Sequence, residues 1–177
     1  LGCSMSHLEC LKLAKKNKFP YVVILEDDID LSSYTSKSIN KCGTSCNIIE
    51  QDIQTRIKYV IDKKFDVLFL GGNNMGNCEK IDSNDNYVKI NECWTTTAYI
   101  VKQHYYDTLI QNVEESINLL SKTGEQKYCI DIYFNKLQKK DEWWFMTPPI
   151  FIQKADYSDI LKTSVNYVKN LENWNKI

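Results

Sequence analysis

The sequence lacks a charge imbalance, a long apolar run and a glycine-rich phosphate-binding motif. Its 177 residues include 22 basic and 23 acidic side chains, for a net charge of −1. No basic surface for nucleic acid or for an anionic membrane is therefore expected. No apolar run reaches the length that a membrane span needs, so we predict no span in this chain. Walker and Rossmann glycine fingerprints are absent, so a nucleotide would have to be held by other means.

Glycosylation acceptor sites of the form Asn-x-Ser/Thr are also absent, which favours a cytoplasmic protein. The 7 cysteines lack the spacing of a zinc finger. Cys42 and Cys46 form one close pair, but no second pair or neighbouring histidine completes a set of four ligands. A disulfide between Cys42 and Cys46 could form in an oxidising compartment. Cys3, Cys10 and Cys129 lie in helical patterns and are interpreted as small buried apolar groups.

Hydrophobic periodicity predicts one α/β domain over residues 1–177. The chain begins at Leu1 with a motif already under way, so we expect an N-terminally truncated fragment. Residues 32–47 have little periodicity and are predicted to form a long loop. Predicted helices cover about 4–17, 48–64, 103–120, 128–137 and 165–174. Predicted strands cover 21–26, 66–70, 87–90, 94–101, 143–146 and 150–153.

Three acidic residues, Glu26, Asp27 and Asp28, follow the apolar run Tyr21–Leu25, which is predicted to be a buried strand. Carboxylates crowded at the end of such a strand repel each other, and a cation commonly compensates them. Because side chains alternate along a strand, we expect Glu26 and Asp28 on one side and Asp27 on the other. Two carboxylates facing one point suit Mg²⁺ or Mn²⁺. The alternative is that these acids are solvated and cap the next turn.

The motif Gly-Cys-Ser-Met-Ser-His at residues 2–7, followed by Ile-Leu-Glu-Asp-Asp at residues 24–28, resembles glycosyltransferase family 25. That family includes lipooligosaccharide and collagen galactosyltransferases and giant-virus relatives. Its later motifs resemble Leu-Gly at residues 70–71, Thr-Ala-Tyr at residues 97–99, and Asp131. The resemblance implies a GT-A-like (Rossmann-like) mixed sheet flanked by helices. The family's opening Ile-Asn-Leu strand is missing here, so the first β–α unit is expected to be absent.

The resemblance also implies a UDP-sugar donor and a Mn²⁺ (or Mg²⁺) ion that bridges the carboxylates and the donor diphosphate. Asp28 and then Glu26 are the expected metal ligands. Asp131 is the candidate general base for the acceptor hydroxyl. The residues expected to border the donor are Gly2, His7, Asp27, Asn73, Thr97 and Tyr99.

Most of these residues also have a local explanation. Asp131 would be favoured at a helix start by the helix dipole, and His7 could simply pack locally. Thr97 suits a strand, and Asn73 suits a turn. Gly2 is expected to permit a tight turn before the first helix.

Two further groups could contact a sugar. Trp143 and Trp144 should point to opposite sides of their strand, so at most one of them could stack on a sugar ring. Gln153 follows a Pro-Pro pair and is a candidate for a further ligand or acceptor contact. An ordinary solvated position explains Gln153 equally well.

The combined prediction is a metal-dependent glycosyltransferase. It would move galactose or glucose from a UDP-sugar to a hydroxyl of a glycan or a hydroxylysine-type protein acceptor. The expected location is the cytoplasm, or the lumen of the endoplasmic reticulum if the acceptor is collagen-like. A homodimer is compatible with the sequence. One alternative is a non-catalytic glycan-binding or structural relative, because the start of the donor site is missing. A second is an aspartyl phosphatase or phosphotransferase, suggested by Asp28-Ile29-Asp30, although Ser32 stands where that motif needs Thr or Val.

Overall fold

The computed structural model describes residues 1–32, 47–81, 86–154, 156–158 and 163–165. The helices are α1 (Gly2–Lys16), α2 (Asn47–Ile61), α3 (Tyr106–Thr123), α4 (Ile130–Tyr133) and α5 (Asn135–Gln138). The main strands are β1 (Tyr21–Leu25), β3 (Val67–Asn74), β4 (Cys78–Lys80), β5 (Tyr87–Ile90), β6 (Cys93–Lys102) and β7 (Trp143–Met146). The strands of two small ribbons are β2 (Ile29–Leu31), β8 (Phe151–Gln153), β9 (Asp156–Ser158) and β10 (Thr163–Val165).

The central sheet has the strand order β1-β6-β3-β7-β5-β4 and is mixed, as expected. β1 and β3 both run antiparallel to β6, which lies between them, so they run parallel to each other. β7 pairs with β3 and runs parallel to it, and β5 pairs with β7 and runs antiparallel to it. The carboxyl ends of β1, β3 and β7 therefore lie at the same edge of the sheet. Outside this sheet, β2 pairs with β8, and β9 pairs with β10.

Helices cover both faces of the sheet, and the strand residues alternate between the two resulting cores. Val67 and Phe69 of β3 pack with α1 and α3, while Leu68 and Leu70 pack with α2 and the β2–β8 ribbon. A central strand buried on both faces must be apolar at every position, which explains the unbroken run in β3. Trp143 and Trp144 alternate in the same way, as predicted. Both indoles are buried, at 0% and 8% exposure, so neither offers a face to a sugar.

The prediction of a fully buried first strand is wrong. β1 lies at the edge of the sheet, where only Val22 and Ile24 pack into the core. The other three side chains, Tyr21, Val23 and Leu25, are 41%, 43% and 48% exposed. An apolar run alone does not distinguish an edge strand from a central one, because the difference depends on which elements cover its second face.

Helix boundaries differ from prediction in places. α1 begins two residues earlier than predicted, at Gly2, and the helix predicted over 128–137 is divided into α4 and α5 after a 3₁₀ turn at Gln126–Tyr128. The helix predicted over 103–120 continues to Thr123, and Gly124 ends α3 with a φ of 69°, a left-handed conformation that suits glycine. Most of the predicted loop 32–47 and of the helix 165–174 lies outside the described residues.

Four short strands were not predicted, and the burial of three cysteines differs from the prediction. β2, β4, β9 and β10 have three residues each, too few to leave a period-2 pattern in the sequence. Cys3 and Cys10 are exposed and Cys129 is half-buried, which corrects the expectation that all three are buried.

None of the helices that the structure describes combines the length and the apolar character of a membrane span.

Candidate active site

The end of β1, the end of β3 and the start of β6 meet at one edge of the sheet. Leu25 of β1 and Gly71 of β3 are both register partners of Ala98 in β6. Asn73 is paired with Trp94 further along the same edge. Most of the residues predicted from the motifs therefore converge here, as expected for ligand sites at the carboxyl ends of strands.

Glu26, the first acid after β1, is held by three neighbours. Its Oε1 atom lies 2.5 Å from Thr96 Oγ1, 3.4 Å from His7 Nε2 and 3.8 Å from Cys3 Sγ. Burial acts to raise the pKa of this carboxyl, but the bonds from His7 and Thr96 outweigh it and lower the pKa below its usual value. Glu26 is therefore a carboxylate at neutral pH.

His7 faces the interior of the protein. It is 5% exposed, and its Nδ1 lies 2.6 Å from the hydroxyl oxygen of Tyr99, which is fully buried. The two rings are nearly parallel, with 2° between their planes. A neutral imidazole with its proton on Nε2 satisfies both neighbours, because Tyr99 then donates to Nδ1 and Nε2 donates to Glu26. Burial, followed by the charge of Glu26, raises the pKa of Tyr99 well above its usual value, so the phenol keeps its proton.

Asp28 has different partners from Glu26. β1 ends at Leu25, so Asp28 lies in a turn, where strand alternation no longer decides its direction. Its Oδ2 accepts a hydrogen bond from Gln153 Nε2 at 2.7 Å, and its carbonyl oxygen accepts one from the Lys154 amide at 2.9 Å. Its Oδ1 is buried and has no hydrogen-bond partner among the described residues. That Glu26 and Asp28 share one ion stays a prediction.

Asp27, between these two acids, is exposed. It lies at the same edge of the sheet and is open to solvent, so its carboxylate is available to a ligand. A contact between Asp27 and the donor stays a prediction.

Asp131 approaches the same edge from the first turn of α4. Its Oδ2 accepts a hydrogen bond from the Thr95 amide at 3.3 Å, and its Oδ1 accepts one from the Ile132 amide at 2.9 Å. Burial raises the pKa of Asp131 above its usual value despite these two donors, and the charge of Glu26 adds to the rise. The carboxyl therefore has a fixed orientation and an increased affinity for a proton, two properties that suit a general base.

Thr95 connects several of the predicted residues but was not itself among them. Its φ of 62° is left-handed, a conformation that is rare for a β-branched residue and that concentrates at functional sites. Its Oγ1 lies 3.5 Å from Asn73 Nδ2 and 3.3 Å from Thr97 Oγ1, while its amide contacts Asp131. Three consecutive threonines resemble an ordinary strand, so no local pattern could have marked this residue or the Thr96–Glu26 contact.

The start of α1 completes the description of the site. Gly2 is the first residue of the helix, its φ is not positive, and a Cβ there would meet nothing within 4 Å. The expectation that Gly2 permits a tight turn is therefore wrong. Cys3, the next residue, has its pKa raised to about 12, first by burial of its sulfur and then by the charges of Glu26 and Asp131. Ligand atoms of Cys3, His7 and Glu26 all lie within 4.8 Å of one another, a group that does not include Asp28.

The comparisons with known proteins point to one family. The model of glycosyltransferase family 25, described as an LPS biosynthesis protein family, matches residues 1–123. The matched region contains the acids after β1, the ends of β3 and β6 and the whole of α1, whereas Asp131 and Gln153 lie beyond it. No curated protein matches the chain.

Proposed function

Because the chain belongs to glycosyltransferase family 25, we propose that it transfers a hexose from a UDP-sugar to a hydroxyl of a glycan or glycoprotein. The observation that carries this proposal is the buried Oδ1 of Asp28 at the carboxyl edge of the sheet, which has no hydrogen-bond partner in the described part of the chain. A buried carboxylate oxygen without a donor costs free energy unless a cation or a proton compensates it. A nucleoside diphosphate sugar donor would bring such a cation with it.

The residues near Asp28 suit a divalent metal ion. Gln153 holds Oδ2 of Asp28, which leaves Oδ1 for the ion, and the exposed Asp27 stands beside it. Glu26, ionised at neutral pH, adds negative charge to the same edge. Carboxylate oxygens are the ligands that Mn²⁺ and Mg²⁺ prefer. When bound, the ion would supply Lewis-acid stabilisation of the charge that develops on the departing UDP.

Asp131 is the proposed base for the acceptor. A sugar or side-chain hydroxyl must lose its proton as it attacks, and a nearby carboxylate can accept that proton. The amides of Thr95 and Ile132 hold the Asp131 carboxylate in one orientation. Its raised pKa brings its proton affinity closer to the working pH, which improves general-base catalysis.

The proposal is tested by measuring UDP release from UDP-galactose and UDP-glucose in Mn²⁺, with a panel of glycan and hydroxylysine acceptors. Asp28→Asn should lower turnover by at least about 100-fold, since a metal ligand is lost. The matched control is Asp30→Asn, because Asp30 is exposed, lies two residues further along the chain in β2, and accepts a hydrogen bond from the Leu31 amide. The control should retain wild-type turnover.

The rival functions give different results in the same experiment. An aspartyl phosphatase would need both Asp28 and Asp30, so both variants would lose activity, and the wild type would hydrolyse a generic phosphate ester. A non-catalytic relative would release no UDP with any donor. Either result would overturn the proposal.

A further inference from the structure

Three side chains at the start of α1 and the end of β1 have the arrangement of metal ligands. Cys3 Sγ and His7 Nε2 lie 3.8 and 3.4 Å from the same oxygen, Glu26 Oε1. Tetrahedral zinc with bonds of about 2.0–2.3 Å separates its N, O and S ligands by roughly 3.3–3.7 Å. The two separations from Glu26 Oε1 are therefore close to the edges of a zinc tetrahedron, and the ligand atoms of Cys3 and His7 lie within 4.8 Å of each other. We propose that Cys3, His7 and Glu26 bind Zn²⁺.

Two of the three ligands are already oriented by buried partners. In the metal-bound form His7 carries its proton on Nδ1 and donates it to the Tyr99 hydroxyl oxygen, which leaves the Nε2 lone pair directed at Glu26. The Thr96 hydroxyl holds the Glu26 carboxylate. Histidines that bind metals typically have their second ring nitrogen fixed by such a hydrogen bond. Tyr99 is fully buried and Thr96 is 3% exposed, so this support is part of the core. The third ligand, Cys3, is exposed as a residue although its sulfur is partly covered, so an ion can reach the site from solvent.

The ligand types select the metal. A thiolate and an imidazole favour Zn²⁺ over Mn²⁺ and Mg²⁺, which prefer oxygen ligands. The carboxylates of Glu26 and Asp131 already lie near the Cys3 sulfur, and a divalent cation would offset their charge and allow the thiol to lose its proton on binding. The inference is tested separately from sugar transfer, because metal binding by these three side chains requires neither Asp28 nor a donor. Three protein ligands leave a fourth tetrahedral position for water or another small ligand.

Cobalt substitution tests the inference without an activity assay. Co²⁺ titrated into the full chain under reducing conditions should saturate at one equivalent and give the near-ultraviolet absorption of a thiolate–cobalt bond. Added Zn²⁺ should remove this absorption. Cys3→Ser should abolish it, and Tyr99→Phe should weaken cobalt binding by about 10–100-fold.

Two control variants assign the absorption to this site. Cys10→Ser changes an exposed cysteine on the same helix and should leave the absorption intact. The double variant Cys42→Ser/Cys46→Ser, which removes the close cysteine pair, should also leave it intact. Circular dichroism of metal-free Cys3→Ser verifies that it folds. The proposal is overturned if the wild type gives no thiolate–cobalt absorption, or if Cys3→Ser keeps it.

Discussion

Replacing Gly71 by alanine tests how the small β2–β8 ribbon is fixed over the central sheet. A Cβ built at Gly71 would lie 2.5 Å from the carbonyl oxygen of Phe151 and 2.9 Å from its carbonyl carbon. Both are backbone atoms of β8, so no side-chain rotation can relieve the clash. The neighbouring hydrogen bond from the Ile150 amide to the Leu70 carbonyl, 2.9 Å long, ties the same segment to β3.

The size of the effect follows from these distances. An ordinary Cβ contact begins at 3.4 Å, so the Phe151 carbonyl must move by about 0.9 Å. Overpacking of this kind costs about 1–3 kcal/mol, and a backbone obstacle places Gly71→Ala at the upper end, about 3 kcal/mol. For a chain of this length that corresponds to a fall in Tm of about 6–12 °C. A shift of the same size would also break the 2.7 Å bond between Gln153 and Asp28, so affinity for the donor should fall as well.

Thermal unfolding of three alanine variants measures the effect. Gly2→Ala meets neither a clash nor a positive φ and should change stability by less than about 1 kcal/mol. Gly124→Ala meets no atom within 4 Å but has a φ of 69°, so it should cost about 1–2 kcal/mol from backbone strain alone. Gly71→Ala should be the least stable of the three. A Tm equal to that of Gly2→Ala would refute the close approach of β8 to β3.

Two predictions concern pH. The folded state lowers the pKa of Glu26, so its contribution to stability is present above the usual glutamate pKa and is lost as pH falls through the lower, folded value. Urea unfolding should show Glu26→Gln less stable than wild type at pH 7, and a difference that persists unchanged at pH 2 would contradict this. The folded state raises the pKa of Asp131, so a general base there should place the acid limb of kcat/KM above the usual aspartate pKa. Asp131→Asn should lower kcat/KM by about 10²–10⁴-fold and remove that limb, and a variant that keeps both would exclude Asp131 as the base.

The fold could be predicted from the sequence where a local pattern and burial agree. β5 and β7 have the predicted boundaries, and β3 contains four of the five residues of its predicted strand, because apolar residues on both faces suit their central positions. β1 has a similar composition, but its position at the edge depends on the order in which strands pair, which no single segment encodes. The divided helix after Tyr128 likewise depends on contacts made elsewhere in the chain.

The site shows the same limit. The motifs predicted that Glu26, His7 and Tyr99 lie in one region, and in the structure hydrogen bonds join them. The sequence could not show that Glu26 contacts Thr96 while Asp28 contacts Gln153, because these partners are 70 and 125 residues away along the chain. Which carboxylate receives which donor is decided by the register of β6 and by the path of β8. Both are properties of the folded chain.

The most direct test of the account is calorimetric titration of UDP into the protein, first with Mn²⁺ and then with EDTA. The account predicts binding in Mn²⁺, no binding in EDTA, and loss of the Mn²⁺-dependent binding in Asp28→Asn but not in Asp30→Asn. Equal affinity in Mn²⁺ and EDTA, or no binding in either, would contradict the claim that a metal ion at Asp28 holds the donor.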